Sequence, residues 1–154
     1  MAIVEGKAAP AFTLTDQDGT KTSLKDFAGR HLILYFYPKD DTPGCTKEAC
    51  GFRDAWRELQ KLGVVVLGVS GDSAESHQKF KAKYKLPFPL LSDPDKKVMT
   101  KYGAYGEKVL YGKKTVGMIR STFVIDGDGV VRKVFPRVKV DGHVDQVLEA
   151  VSPL

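Results

Sequence analysis

A chain of 154 residues with an apolar share of 42% is the size of one domain and can build one ordinary hydrophobic core. No apolar run approaches the roughly 18 residues that a membrane helix needs, which excludes a transmembrane protein. The net charge of +5 is mild and scattered along the chain, so it does not indicate nucleic acid binding.

The N-terminal part of the chain predicts a short hairpin. Residues 1–7 have neither the basic nor the apolar stretch of a secretory leader, so we expect a cytoplasmic protein. Two short runs, Phe12–Thr15 and Lys21–Ser23, flank an Asp-Gln-Asp-Gly turn, and a turn of helix is expected over Leu24–Phe27.

The next segments predict alternating strands and helices. The runs His31–Tyr37 and Val64–Val69 are almost continuously apolar, which is typical of strands buried on both faces. Between them we expect a helix that ends near Gly63, because apolar residues recur there at steps of three and four. These residues are Ala49, Phe52, Trp56, Leu59 and Leu62.

Two more helices and a short strand are predicted after this unit. Ser73 should cap a helix that reaches about Tyr84, with His77 facing inward and the lysines forming a solvated face. Residues 89–91 read as a short strand or extended link. Asp93 and Pro94 are predicted to open the following helix, as its cap and its first residue.

The C-terminal third predicts a loop, a hairpin and a closing helix. Residues 103–117 are rich in glycine and have no clear period, so an inserted loop is expected. The runs Arg120–Ile125 and Val130–Phe135 flank an Asp-Gly-Asp-Gly turn and predict a β-hairpin, and a helix is expected over Val144–Val151.

Taken in order, these elements predict a single α/β domain spanning residues 1–154. A parallel strand pair joined by a right-handed crossover should share one mixed central sheet with the antiparallel hairpin, with helices on both faces. This order resembles the thioredoxin-like fold with an N-terminal hairpin extension.

Cys45 is the first candidate for chemistry because it follows a buried strand and lies where a helix begins. At that position unpaired backbone N–H groups and the positive end of the helix dipole stabilise an anion. A thiolate is such an anion and is the reactive form of cysteine, so Cys45 is a candidate nucleophile. The alternative is a small buried apolar residue, which the preceding Pro-Gly loop makes a poorer interpretation.

Cys50 gains interest from its nearness to Cys45, because a thiolate oxidised to sulfenic acid condenses with a second thiol nearby. Taken alone, Cys50 fits a packing role better than Cys45 does, because a cysteine in the middle of a helix beside Ala49 packs well. The spacing is not the C-x-x-C of thioredoxins. A zinc site is not expected, because His31, His77 and His143 are isolated in the sequence and read as surface or core-edge residues.

The segment Pro38-x-x-x-Thr42-x-x-Cys45 resembles the active-site signature of the peroxiredoxins. The longer segment 37–54 is similar to the bacterioferritin comigratory protein, or peroxiredoxin Q, subfamily, and the similarity covers nearly the whole chain. Other segments that carry it are Leu67–Ser70, Leu90–Asp93, Tyr105–Lys108 and Arg120–Asp126.

This resemblance implies a thiol peroxidase that reduces hydrogen peroxide and organic hydroperoxides. Cys45 matches the peroxidatic cysteine, Cys50 the resolving cysteine, and Arg120 the second active-site arginine of the family. The resemblance further implies thioredoxin or a similar dithiol as reductant and no metal, flavin or haem. No late cysteine is present of the kind used between subunits, and we expect a monomer that binds neither nucleic acid nor membrane.

The residues around the cysteines admit roles that fit this reading. Thr42 could donate its hydroxyl to the thiolate or to a peroxide oxygen, or simply stabilise a turn. Pro38 either shields the sulfur or ends a strand. Arg120 would be costly to bury without an anion, which a thiolate would supply, while Glu48 either orients that guanidinium or favours the helix dipole.

Two rival functions remain open from the residues alone. A thioredoxin-like disulfide reductase would use the same fold, although the C-x-x-C motif is missing. A basic binding module would use the net charge and the lysine-rich helix instead. Finally, residues five apart in a helix have Cα atoms roughly 8.7 Å apart, whereas a disulfide tolerates about 6.8 Å, so bond formation between Cys45 and Cys50 should require unwinding.

Overall fold

The computed structural model describes residues 3–154, so Met1 and Ala2 of the segment searched for a leader lie outside the described residues. The strands are β1 Thr13–Thr15, β2 Lys21–Ser23, β3 His31–Phe36, β4 Val64–Ser70, β5 Leu90–Ser92, β6 Tyr105–Leu110, β7 Lys113–Met118, β8 Ser121–Ile125 and β9 Val131–Phe135. The helices are α1 Pro43–Asp54, α2 Trp56–Lys61, α3 Ala74–Tyr84, α4 Lys97–Lys101 and α5 His143–Val151, and a 3-10 turn spans Leu24–Phe27.

Seven strands form one mixed sheet in the order β2-β1-β5-β4-β3-β8-β9. Strand β4 pairs in parallel with β3 and β5, whereas β8 pairs antiparallel with β3 and β9. The expected parallel pair, the C-terminal hairpin and the N-terminal hairpin of β1 and β2 are therefore confirmed.

Strand β3 divides the core because its side chains alternate between two buried layers. Tyr35 belongs to the layer beneath α1, α3 and α5, together with Phe52 and Phe80. Phe36 belongs to the opposite layer with Tyr102 and other residues around α4. Helices therefore cover both faces of the sheet, as the continuous apolar pattern of β3 predicts.

The predicted helix that ends near Gly63 is instead two helices, because the chain bends at Ala55. Its φ of −89° and ψ of 3° depart from helical geometry, although its N–H still bonds to the Gly51 carbonyl at 3.1 Å. After the bend, the Trp56 ring lies 6.2 Å from the ring of Phe88. Apolar spacing continues through the bend, so the sequence pattern does not reveal it.

The prediction that Asp93 and Pro94 open a helix is wrong, since α4 begins at Lys97. The chain first makes a turn in which the Lys96 N–H donates to the Asp93 carbonyl at 3.1 Å. The Asp93 carboxylate then accepts the Met99 N–H at 2.8 Å. Asp93 thus caps the helix from a preceding turn, which places the helix start three residues later than expected.

The loop expected over residues 103–117 is a second antiparallel hairpin formed by β6 and β7. Its turn residues, Tyr111 and Gly112, both have positive φ, at 52° and 76°, as a tight two-residue hairpin turn requires. Val109 and Val116 are exposed, and none of the hairpin side chains that the structure describes is fully buried, so no buried apolar face produces a periodic pattern among them. No helix within residues 3–154 is long and apolar enough to cross a membrane.

Candidate active site

Cys45 lies in the first turn of α1, three residues after the N-cap Thr42. It is 1% exposed and packs into the core layer that contains Tyr35. A thiolate here faces the helix N-terminus, where backbone N–H groups and the dipole favour negative charge.

Arg120 brings a positive charge to this sulfur from the residue that precedes β8. One terminal nitrogen of its guanidinium donates to Cys45 Sγ at 3.2 Å, and the other donates to Glu48 Oε1 at 2.6 Å. A Cβ on Gly44 would lie 3.3 Å from the guanidinium, so the glycine permits this close approach. Burial opposes the charge, but Glu48 and Cys45 together raise the pKa of Arg120 above its usual range.

Glu48 is fully buried and orients Arg120, which is one of the two roles that the sequence leaves open. Burial raises the pKa of Glu48 to about 7, even though Arg120 acts to lower it. Its second oxygen, Oε2, has no hydrogen-bond partner among the described residues and lies 3.9 Å from His143 Nε2. That nitrogen also lies 2.8 Å from the hydroxyl of Thr122.

Thr42 and Pro38 both lie in the loop segment that leads into the first turn of α1. The Thr42 hydroxyl donates to the Lys39 carbonyl at 2.9 Å, as in a loop turn. Pro38 is exposed and follows the end of β3, a position that is consistent with ending the strand.

Cys50 lies in the middle of α1 and is half-buried, and both cysteines are free thiols. Because Cys45 belongs to the same helix, the sequence-based argument about distance applies: their Cα atoms are roughly 8.7 Å apart in helical geometry. The structure therefore has the geometry of a reduced protein in which the bond cannot form without local rearrangement.

Two of the three histidines are buried, which corrects the reading of all three as surface or core-edge residues. His77 is 0% exposed and His143 is 1% exposed. Each satisfies its ring by hydrogen bonds, to Asp40 for His77 and to Thr122 for His143. The sequence predicts that His77 faces inward, which indicates its burial. Its hydrogen-bond partners lie in distant segments, so the sequence pattern does not reveal them.

Comparison with known proteins gives a consistent result. The model of the AhpC/TSA family matches residues 5–134. A Coxiella burnetii protein named as a peroxiredoxin, bcp, is 58% identical over 148 residues, covering 96% of this chain and 98% of that protein. Chloroplastic peroxiredoxin Q of Suaeda salsa is 45% identical over 153 residues, covering 99% of this chain and 69% of that protein.

Solved structures agree with these relatives. The Xanthomonas campestris bacterioferritin comigratory protein, studied for alkyl peroxide reduction, matches with a TM-score of 0.87 and 43% identity over 92% of this chain and 90% of that one. A cysteine-to-serine mutant of Xylella fastidiosa PrxQ matches with a TM-score of 0.91 and 34% identity over 98% of this chain and 96% of that one. The thioredoxin-like α/β fold expected from the element order is confirmed.

Proposed function

Because this chain belongs to the AhpC/TSA family and is a thiol peroxidase of the peroxiredoxin Q type, we propose that Cys45 is its peroxidatic cysteine and Cys50 its resolving cysteine. The observation that carries this assignment is the 3.2 Å contact between the Arg120 guanidinium and Cys45 Sγ. It places a fixed positive charge beside a sulfur that already lies at a helix N-terminus.

In the first step the Cys45 thiolate attacks one oxygen of the peroxide. An S–O bond forms while the O–O bond breaks, and the leaving oxygen takes a proton and departs as water or an alcohol. The guanidinium of Arg120 and the backbone N–H groups at the start of α1 stabilise the negative charge that develops on the leaving oxygen. Glu48 contributes by holding the guanidinium in position.

In the second step the Cys50 thiol attacks the sulfur of the Cys45 sulfenic acid. An S–S bond forms, the S–O bond breaks, and the hydroxyl leaves as water. A dithiol then reduces the disulfide by thiol–disulfide exchange and restores both thiols. Peroxide and a thiol reductant are thus the two substrates of the cycle.

The finer assignments belong to the same proposal. Thioredoxin is the proposed reductant, and residues 1–154 are proposed to act as one cytoplasmic domain that needs neither nucleic acid nor membrane. Both cysteines lie on α1 of the same chain, so the cycle requires no cysteine from a second subunit, which supports a monomer. Thr42 and Pro38 are proposed to shape the loop before Cys45.

The test is peroxide consumption with dithiothreitol or reduced thioredoxin as the reductant. Cys45→Ser should abolish consumption with either one. Cys50→Ser should keep the first turnover but lose most of the thioredoxin-supported cycle, because its sulfenic acid has no internal partner. If Cys45→Ser retains wild-type consumption, the assignment of the nucleophile is wrong.

A further inference from the structure

A second buried polar cluster lies behind the loop that leads to Cys45. Asp40, in this loop, is 6% exposed, and His77 of α3 is 0% exposed. His77 Nδ1 lies 2.7 Å from Asp40 Oδ2, and His77 Nε2 lies 3.0 Å from the Leu91 carbonyl oxygen. The mechanism described above uses neither side chain.

The hydrogen-bond pattern determines the protons of this pair. A carbonyl oxygen only accepts, so Nε2 carries a proton and donates to Leu91. The contact of 2.7 Å between Nδ1 and the Asp40 carboxyl group therefore needs a second proton. Asp40 also accepts the hydroxyls of Tyr37 at 2.5 Å and Ser76 at 2.8 Å, which stabilises its carboxylate form. This set of contacts is the one that an imidazolium at His77 and a carboxylate at Asp40 would make.

The surroundings of the imidazolium provide the compensating charge. The groups that face it are Asp40 in the loop, the Tyr37 hydroxyl at 3.5 Å after β3, Ser76 on its own helix and the Leu91 carbonyl of β5. Asp72 lies close by, after β4, with a carboxylate oxygen within 4.8 Å. Asp40, Asp72 and His77 each offer a ligand atom, and these atoms lie close enough together to bind one metal ion.

A proton suits the cluster better than a metal ion does, because three of the four carboxylate oxygens already accept hydrogen bonds. Oδ2 of Asp72 accepts the Asp40 N–H at 2.8 Å and the Ser70 hydroxyl at 2.7 Å. Both oxygens of Asp40 are likewise engaged, by Tyr37 and by Ser76 with His77. A metal ion would have to displace several of these donors.

The loop between this cluster and α1 is tied to α3 at a second point. Asp41 has a left-handed φ of 57° and accepts hydrogen bonds from Lys83 and Tyr84, each at 2.8 Å. The following residue, Thr42, is the N-cap of α1, three residues before Cys45. The position of Asp40 therefore fixes where α1 begins and where its N–H groups point.

We propose that His77 is a positioning residue, and that its imidazolium, paired with Asp40, holds the loop of residues 38–42 so that the first turn of α1 presents its N–H groups and Cys45 correctly to peroxide. This inference rests on the proposed role of Cys45. The pair acts through the loop and does not itself touch the reacting atoms.

The protonation state is tested by nitrogen-15 NMR of the histidine rings in the reduced protein at neutral pH. His77 should show both ring nitrogens protonated. His143 is the internal control, because burial lowers its pKa to about 4 and it should be neutral at the same pH. A His77 ring with one unprotonated nitrogen would overturn the proposal, whatever the identity of the nucleophile.

The positioning role is tested by single-turnover oxidation of Cys45 in a Cys50→Ser background. His77→Leu should slow oxidation about 100-fold, the scale of cost for a small misplacement of catalytic groups. His77→Asn keeps a donor toward Asp40 and should recover a large part of that loss. Lys79→Ala, on the exposed face of α3, should oxidise at the wild-type rate.

Thermal unfolding measured on the same variants separates positioning from stability. If His77→Leu and His77→Asn are less stable but oxidise at the wild-type rate, the pair is only structural and the proposal is wrong. If His77→Leu does not fold, the His77→Asn rate and the NMR signature still decide the outcome. Failure of the proposed function would appear separately, as peroxide consumption that persists in Cys45→Ser.

Discussion

The guanidinium of Arg120 contacts two acidic groups at once, the Cys45 sulfur and the Glu48 carboxylate. Glu48 binds one terminal nitrogen of the guanidinium, and the other terminal nitrogen is directed at the Cys45 sulfur. Such preorganised donors stabilise developing charge without reorganisation during the reaction. Under the proposed function the role of Arg120 is electrostatic, so its removal should affect the oxidation step directly.

We expect Arg120→Ala to slow the oxidation of Cys45 by peroxide by roughly 100- to 1000-fold, as loss of one aimed donor typically does. Arg120→Lys should recover little, because a single ammonium cannot span both partners as a planar fork does. Rapid mixing with peroxide in a Cys50→Ser background measures the rate constant. Arg132→Ala, which removes an exposed arginine on β9, is the control. A rate within a few-fold of wild type for Arg120→Ala would make Arg120 a structural residue.

Glu48 should make stability depend on pH in a specific direction. Burial raises its pKa from 4.5 to about 7, so its contribution is full below pH 4.5 and is lost as pH rises through about 7. The difference in free energy of unfolding, wild type minus Glu48→Gln, should therefore decrease across this window. Urea unfolding at a series of pH values measures it.

His143 acts in the opposite sense and does not obscure this result. Burial lowers its pKa from 6.5 to about 4, so its contribution is present above pH 6.5 and is lost as pH falls through about 4. The His143 contribution to the free energy of unfolding is present in both wild type and Glu48→Gln, so it largely cancels in their difference. A difference that stays constant from pH 4.5 to 7 would show that Glu48 remains ionised throughout.

The residues proposed to react are predictable from sequence, whereas the residues that support them are not. Cys45 follows a buried strand and begins a helix, and the resemblance to the peroxiredoxins implies Arg120 as well. The choice between two roles for Glu48 needs the contact with Arg120, which is 72 positions away in the chain. His77 contacts Tyr37, Asp40 and Leu91, which are 14 to 40 positions away in the chain, and no local pattern records that arrangement.

At the scale of elements, helix α1 has to serve two states. In the reduced state it carries both cysteines and is held by the segment that leads into α5. Lys47 forms an ion pair with Asp141, and a Cβ on Gly51 would lie only 2.7 Å from Val144 Cγ2. Because the disulfide cannot form within intact helical geometry, these contacts have to be released when Cys50 reaches Cys45.

We expect amide hydrogen exchange over residues 42–53 to be faster in the oxidised protein than in the reduced one. The physical reason is that the disulfide prevents the first turns of α1 from keeping their helical hydrogen bonds. Helix α3 is the internal control and should exchange equally in both states. Equal protection of residues 42–53, with the Cys45–Cys50 bond established by mass, would contradict local unwinding.

The elements that sequence predicts best are those that bury apolar surface. Strands β3 and β4 are apolar on both faces and are recognised directly. The hairpin of β6 and β7 was expected to be a loop because its exposed valines and lysines give no alternation. The start of α4 was misplaced because Asp93 caps it from a turn, with the same residue type that an ordinary N-cap would use.

At the scale of the whole molecule, sheet topology brings the distant parts of the site together. Strand β3 ends at Phe36, which pairs with Ser121, the first residue of the antiparallel strand β8. The chain that leaves β3 enters α1 with Cys45, and the chain that enters β8 carries Arg120. Antiparallel pairing of these two strands therefore places the nucleophile and its charged partner at one edge of the sheet.

The intact mass of the reduced protein after one equivalent of peroxide tests the central claim most directly, namely that Cys45 is oxidised first and Cys50 resolves it. Wild type should lose two hydrogen atoms as the disulfide forms, and Cys50→Ser should gain one oxygen atom on Cys45. Cys45→Ser should remain unchanged. Oxidation of Cys45→Ser at the wild-type rate, or a Cys50→Ser protein that gains no oxygen, would contradict the account.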